Sequence, residues 1–239
     1  MIQTGLLKEA IPQYKNNIND YNPFLTEANY IEAEDIENKT KYYPVFIILT
    51  YTGSVFARLV KYFTNDSYTH ASISFDSNMN KMLSFNQDGD GLTEENLKEF
   101  CKNGKEDVAK YSTFMYMAKK DEYNVMKNFV NNIKSKIKTM KYNLLGALRL
   151  IPNQFIFGKE SEREDKYFCS EFVASILNSA NTHIINKAAF LIRPQMLSRI
   201  RKFKFIKRGF IKNFNPLEID SIIKRKLEED DKYTNIIIE

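Results

Sequence analysis

The run Asn65-Asp66-Ser67-Tyr68-Thr69-His70-Ala71-Ser72-Ile73-Ser74-Phe75 changes character at His70. The residues before it are short, polar and turn-favouring. From His70 onward small, polar and apolar side chains alternate, the period of a half-buried strand. Asp76-Ser77-Asn78 supplies a turn, and Lys81 to Asn86 alternates again. The two runs therefore form an antiparallel hairpin with a histidine at its mouth.

Upstream, Tyr-Pro-Val-Phe-Ile-Ile-Leu-Thr-Tyr-Thr over residues 43–52 is β-branched, aromatic and almost continuously apolar, which suits a buried strand. Gly53 breaks it. Ser54 is placed to cap a helix whose apolar positions Val55, Leu59, Val60 and Phe63 recur at helical spacing. Downstream, Asp88-Gly89-Asp90-Gly91 is a loop without the remaining ligand spacing of a calcium site. Thr93 to Phe100 fits a short helix with Thr93 as cap and Glu94 and Glu95 in its first turn. Tyr111 to Ala118 reads as a strand. Residues 121–140 carry Val125, Met126, Phe129, Val130, Ile133 and Ile137 at three-to-four spacing, the clearest amphipathic helix in the chain. An apolar turn-and-helix segment follows over 142–151, and a charged loop over 158–166. A second clear helix spans 169–180, with Phe172, Val173, Ile176 and Leu177 on its inner face. Lys202 to Phe210 alternates as a last strand, and a helical pattern starts at Pro216. Helices and antiparallel hairpins mixed without a strand–helix–strand rhythm define an α+β protein.

A chain of 239 residues with 43% hydrophobic and 27% charged residues can bury one substantial core without staples. Two cysteines in unlike contexts make no disulfide framework, so a reducing compartment is expected and a free thiol would persist there. The N-terminal residues lack the pattern of a secretory leader, and the longest apolar run is too short to span a bilayer. A cytoplasmic protein is expected. The net charge of +5 is modest and bears first on solubility.

With two histidines and two cysteines, a nucleophile–base pair has few ways to be assembled. Cys169 stands in Tyr167-Phe168-Cys169-Ser170-Glu171-Phe172, at the first turn of the expected helix. A helix N-terminus offers partial positive charge and free N–H groups, which favour a thiolate and can hold an oxyanion. Against this stands a cysteine that merely packs between Phe168 and Phe172. His70 is the strand histidine able to take and return the thiol proton. His183 follows a helix and reads as a loop residue, and Cys101 reads as structural. The third, orienting position falls on the neighbouring strand, where Ser84 and Asn86 share a face. Tyr68 and Tyr51, beside the histidine turn and at the end of the upstream strand, are candidate substrate contacts. Metal-ligand spacing and glycine-rich phosphate loops are absent, so neither a metal nor a cofactor is expected. The stretch Arg199, Arg201, Lys202, Lys204, Lys207, Arg208, Lys212, interleaved with Phe203, Phe205 and Phe210, is either a solvated strand face or a surface for anionic lipid or nucleic acid.

Tyr68-Thr69-His70-Ala71-Ser72-Ile73-Ser74 with Met82-Leu83-Ser84-Phe85 resembles the histidine hairpin of the circularly permuted NlpC/P60, papain-like hydrolases. Tyr167-Phe168-Cys169-Ser170-Glu171-Phe172-Val173 resembles their cysteine helix, and Arg193-Pro194-Gln195-Met196-Leu197 the Pro-x-x-Leu element that follows it. Histidine before cysteine is the permuted order. The resemblance covers roughly residues 45–210. It implies a papain-like α+β fold, an antiparallel sheet packed against a cysteine-bearing helix. It implies Cys169 as nucleophile and His70 as base, with Ser84 at a third position where many members carry His or Glu. The expected organisation is an N-terminal extension over 1–42, a catalytic domain over 43–212 and a helical tail over 213–239. The expected activity is a cysteine hydrolase working through an acyl-thiol intermediate on a peptide, amide or lipid acyl substrate. The alternative is a non-catalytic module that uses the basic C-terminal strand for peripheral membrane or, less readily, nucleic-acid contact.

Overall fold

Val45, Phe46, Ile47, Ile48 and Leu49 are all fully buried. A strand achieves this only when both faces of its sheet are covered. The computed structural model describes residues 31–35, 40–86, 91–98, 107–136, 141–142, 166–180, 184–229 and 235–238. Its strands are β1 (Ile31–Asp35), β2 (Thr40–Tyr51), β3 (His70–Ser74), β4 (Met82–Asn86), β5 (Gly91–Glu95), β6 (Lys110–Lys119), β7 (Lys141–Tyr142), β8 (Lys166–Tyr167), β9 (Lys204–Phe210) and β10 (Asn235–Ile238). Its α-helices are α1 (Val55–Thr64), α2 (Lys120–Ser135), α3 (Cys169–Ser179), α4 (Pro194–Leu197) and α5 (Pro216–Glu228).

Six strands form an antiparallel sheet in the order β9-β6-β2-β3-β4-β5, and a β10-β1 ribbon pairs with the start of β2. The protein is α+β. Side chains of β2 alternate between two cores, as the pleat requires. Val45, Ile47 and Leu49 join Ala71, Ile73, Leu83 and Phe85 under α2 and α3. Phe46 and Ile48 join Met82, Met115 and Met117 under Ile219, Ile223 and Leu227 of α5. The continuous apolar run thus reflects a central strand sandwiched between helical layers.

The local signals behave largely as their chemistry dictates. Ser54 caps α1, its Oγ accepting from the Ala57 N–H at 3.0 Å. The β3–β4 turn is held by Asp76, whose carboxylate accepts from the N–H groups of Asn78 and Asn80 at 2.9 and 3.3 Å. Phe172, Val173, Ile176 and Leu177 are buried on α3, as their spacing predicts. Three expectations are corrected. Thr93 to Phe100 does not begin as a helix: Gly91–Glu95 is a strand paired with β4 across its whole length. Residues 31–35, expected within an irregular extension, form β1, and 235–238, expected within a helical tail, form β10 beside it. On α1, which forms as expected, the periodic Val55, Leu59 and Phe63 are exposed. The expected elements over 143–151 and 158–165 lie outside the described residues.

Gly53 joins β2 to α1 with φ +68°, in the left-handed region, and a Cβ there would meet Val108 Cγ2 at 2.6 Å. Gly53→Ala is expected to destabilise the fold by about 1–2 kcal/mol, from the left-handed backbone alone. A fall in the urea midpoint without a change in slope would report it.

Candidate active site

His70 opens β3, opposite Thr50 of β2. The Thr69 N–H donates to the Thr50 carbonyl at 3.0 Å, which closes the α1 excursion back onto the sheet. Cys169 opens α3. The residue at its N-cap is Phe168, whose side chain has no acceptor to offer the first-turn N–H groups. The first intrahelical bond runs from Phe172 N–H to Phe168 O at 3.0 Å, so the N–H groups of Cys169, Ser170 and Glu171 have no intrahelical acceptor. Aromatic packing fixes this helix end. Phe85 of β4 sits 5.2 Å from Tyr167 and 5.1 Å from Phe172, ring centre to ring centre.

The segment Ile192–Leu197 ties the two halves together. Ser170 Oγ donates to the Ile192 carbonyl at 2.6 Å. Arg193 Nη1 lies 3.4 Å from Asp66 Oδ2, and Gln195 Oε1 accepts from the Ser67 N–H at 3.1 Å. Leu197 is fully buried in the core beneath α2 and α3. One short segment thus holds the start of the cysteine helix and the turn that leads into His70.

The imidazole meets the Glu95 carboxylate. Its Nε2 lies 3.2 Å from Oε1 and 3.1 Å from Oε2. A carboxylate only accepts, so Nε2 carries a proton and donates it. Ser72 Oγ donates to Glu95 Oε2 at 2.8 Å, and Asn86 Nδ2 donates to Oε1 at 3.3 Å. Ser84 is wholly buried; its hydroxyl makes no well-formed hydrogen bond among the described residues, yet lies near enough to Glu95 to favour the anion. His70 is 17% exposed and Glu95 6%. Burial opposes charge on both, and their mutual attraction outweighs it. For His70, burial alone would lower the pKa; the Glu95 carboxylate first, and then the neighbouring Cys169 sulfur, hold it well above its ordinary value. For Glu95, burial alone would raise the pKa; His70, with Ser84 and Ser72, holds it below the ordinary value. Cys169 is a free, buried cysteine whose side chain is within hydrogen-bonding reach of the His70 ring.

Comparison with known proteins finds no matching family model, no matching curated protein and no matching solved structure.

Cys169 and His70 are therefore brought together. The group that accepts the hydrogen bond from His70 Nε2–H is Glu95, and the two residues expected at that position, Ser84 and Asn86, lie beside Glu95 instead. Sequence reasoning missed Glu95 because Thr93-Glu94-Glu95 carries the signature of a helix start. The recoverable signal is its position, one loop beyond the histidine hairpin, where a third antiparallel strand would fall. Tyr51 and Tyr68 lie at the same end of the sheet, both partly buried, with Lys110 Nζ 5.8 and 5.7 Å from their ring centres. In the basic stretch, Lys207 pairs with Glu218, and Lys212 with Asp107 at 2.6 Å. Part of its charge is thus neutralised within the fold. Cys101 and His183 lie outside the described residues.

With two histidines in the chain, the imidazole signals can be followed by NMR. One is expected to titrate well above 6.5, and Glu95→Gln to move that titration downward, because burial still opposes the charge and the carboxylate's attraction is lost. The sign for stability follows from the same shifts. The raised His70 stabilises fully below about pH 6.5 and loses its contribution as pH rises through the raised value. The lowered Glu95 stabilises above about pH 4.5 and loses its contribution as pH falls through the lowered value. The stability gap between wild type and Glu95→Gln should be widest between those limits and narrow on either side.

Proposed function

We propose that the chain is a cysteine hydrolase of the papain-like, circularly permuted NlpC/P60 kind, with Cys169 as nucleophile, His70 as base and Glu95 as the residue that orients the base. The observation that carries this reading is His70 Nε2 held by a buried carboxylate while a helix-opening cysteine stands beside the same ring. With Nε2–H engaged by Glu95, Nδ1 is the nitrogen left to exchange a proton with the thiol.

The chemistry follows from the geometry. The Cys169 sulfur, its proton passed to His70, attacks an acyl carbon, and the carbonyl oxygen becomes an oxyanion. The uncapped N–H groups at the start of α3 are the available donors for that charge. His70 returns the proton to the leaving amine or alcohol, leaving an acyl-thiol. It then takes a proton from water, whose oxygen attacks the acyl carbon and releases the acid and the thiol. Glu95 keeps the imidazole in one tautomer and orientation throughout and stabilises the imidazolium. The histidine-before-cysteine order and the antiparallel sheet packed on the cysteine helix support the permuted papain-like reading. The acyl group can belong to an amide, ester or thioester, of peptide or lipid.

An activated ester such as p-nitrophenyl acetate tests this. Wild type is expected to release p-nitrophenol in a burst and to carry an acetyl group on Cys169 by peptide mass mapping. Cys169→Ala should show neither. His70→Ala should slow acylation by about 100-fold or more, the usual size of a general-base contribution. Glu95→Gln should slow it less. Acylation spread over both cysteines, or indifferent to His70→Ala, would contradict the proposal.

A further inference from the structure

Lys110 lies between two tyrosine rings at the end of the sheet that carries His70. It opens β6 opposite Tyr51 of β2, and the neighbouring β2 residue, Thr50, faces His70 of β3. Two strand spacings, roughly 10 Å, therefore separate the backbones of Lys110 and His70. Lys110 Nζ is 5.8 Å from the Tyr51 ring centre and 5.7 Å from that of Tyr68. Tyr68 stands two residues before His70 and packs against the core beneath α2 and α3. Its ring thus joins the ammonium to the helical layer that carries Cys169.

A single lysine over a single aromatic ring is ordinary packing. Here a second ammonium, Lys61 Nζ, lies 5.0 Å from the same Tyr51 ring centre. The last turn of α1 favours a cation at Lys61, which leaves Lys110 to be explained. Among the described residues neither lysine makes an ion pair. The acids nearby in sequence are engaged elsewhere: Asp66 with Arg193 and Asp107 with Lys212. Lys110 is partly buried, and burial first, then the charge of Lys61, lower its pKa. Two cations gathered on one ring without a counter-charge weaken the free protein slightly, and an anion brought there by a ligand removes that cost.

We propose that Lys110, with Tyr51, Tyr68 and Lys61, forms a subsite for an oxyanion on the substrate, a carboxylate or phosphate several bonds from the carbonyl that Cys169 attacks. The inference rests on the hydrolase reading and narrows it from acyl groups in general to those with a remote negative charge. A lysine ammonium recognises either oxyanion as a point charge with three donors. The separation of two strands sets the reach: an acyl chain of about eight carbons spans a comparable length.

p-Nitrophenyl octanoate and its analogues ending in a carboxylate or a phosphonate test this on the full chain. Wild type is expected to be acylated at Cys169 with kcat/KM about tenfold higher for a charged-end ester than for the neutral one at low salt, and the gap should shrink as salt is added. The charged end that gains more identifies the oxyanion. Lys61→Gln with Lys110→Gln should bring the ratio to about one. The ratio compares two esters on one protein, so a partly unfolded preparation does not move it. A wild-type ratio near one, or a ratio that the double variant retains, overturns the proposal. Failure of the neutral ester as well as the charged ones sinks the hydrolase reading itself. Inorganic phosphate then decides the anion site: amide shifts at Tyr51, Tyr68 and Lys110 that the double variant loses support it, and unmoved resonances remove it.

Discussion

The contact between His70 and Glu95 is the constraint around which the site is organised. A carboxylate at 6% exposure is tolerated only with partners that satisfy it. Here it has a ring N–H, the Ser72 hydroxyl and the Asn86 amide. Those donors come from β3 and β4, and Glu95 itself ends β5. The pair therefore fixes three neighbouring strands in one register and holds the imidazole where a thiol can reach it.

The cysteine is brought to that ring by a different set of forces. Three aromatic rings pin the start of α3 to β4, and the Ile192–Leu197 segment links the helix start to the turn before His70. This segment is short, but it touches both halves through hydrogen bonds that cost little individually and act together geometrically. Its Leu197 anchor in the core explains why a four-residue helix stays in place. Burial of the sheet on both faces gives the platform its rigidity, and rigid elements hold catalytic groups to tighter tolerance than loops.

The end of the sheet that carries His70 also carries α1. Its two faces do different things: Ala57 seats the helix, and the opposite stripe faces outward. The ammonium groups of Lys61 and Lys110 around Tyr51 lie on the same side as the entry to β3. Elsewhere α5 covers one face of the sheet, and the β10-β1 ribbon extends it from the start of β2.

Much of this was determined by local sequence. The alternation from His70, the cap at Ser54, the turn at Asp76 and the helix opening at Cys169 each depend on near neighbours, and each forms as its chemistry dictates. The α+β class follows from those elements in order, whereas the meeting of the histidine hairpin and the cysteine helix is made by contacts between distant segments. Tertiary structure alone decided the remainder. Thr93-Glu94-Glu95 has the local chemistry of a helix start, but Glu95 finds its donors on β3 and β4, and satisfying a buried carboxylate outweighs a cap preference of about 1 kcal/mol. The β10-β1 pairing joins residues from opposite ends of the chain, beyond any local signal. On α1, periodicity reveals that an apolar stripe exists, but only packing decides which way it faces.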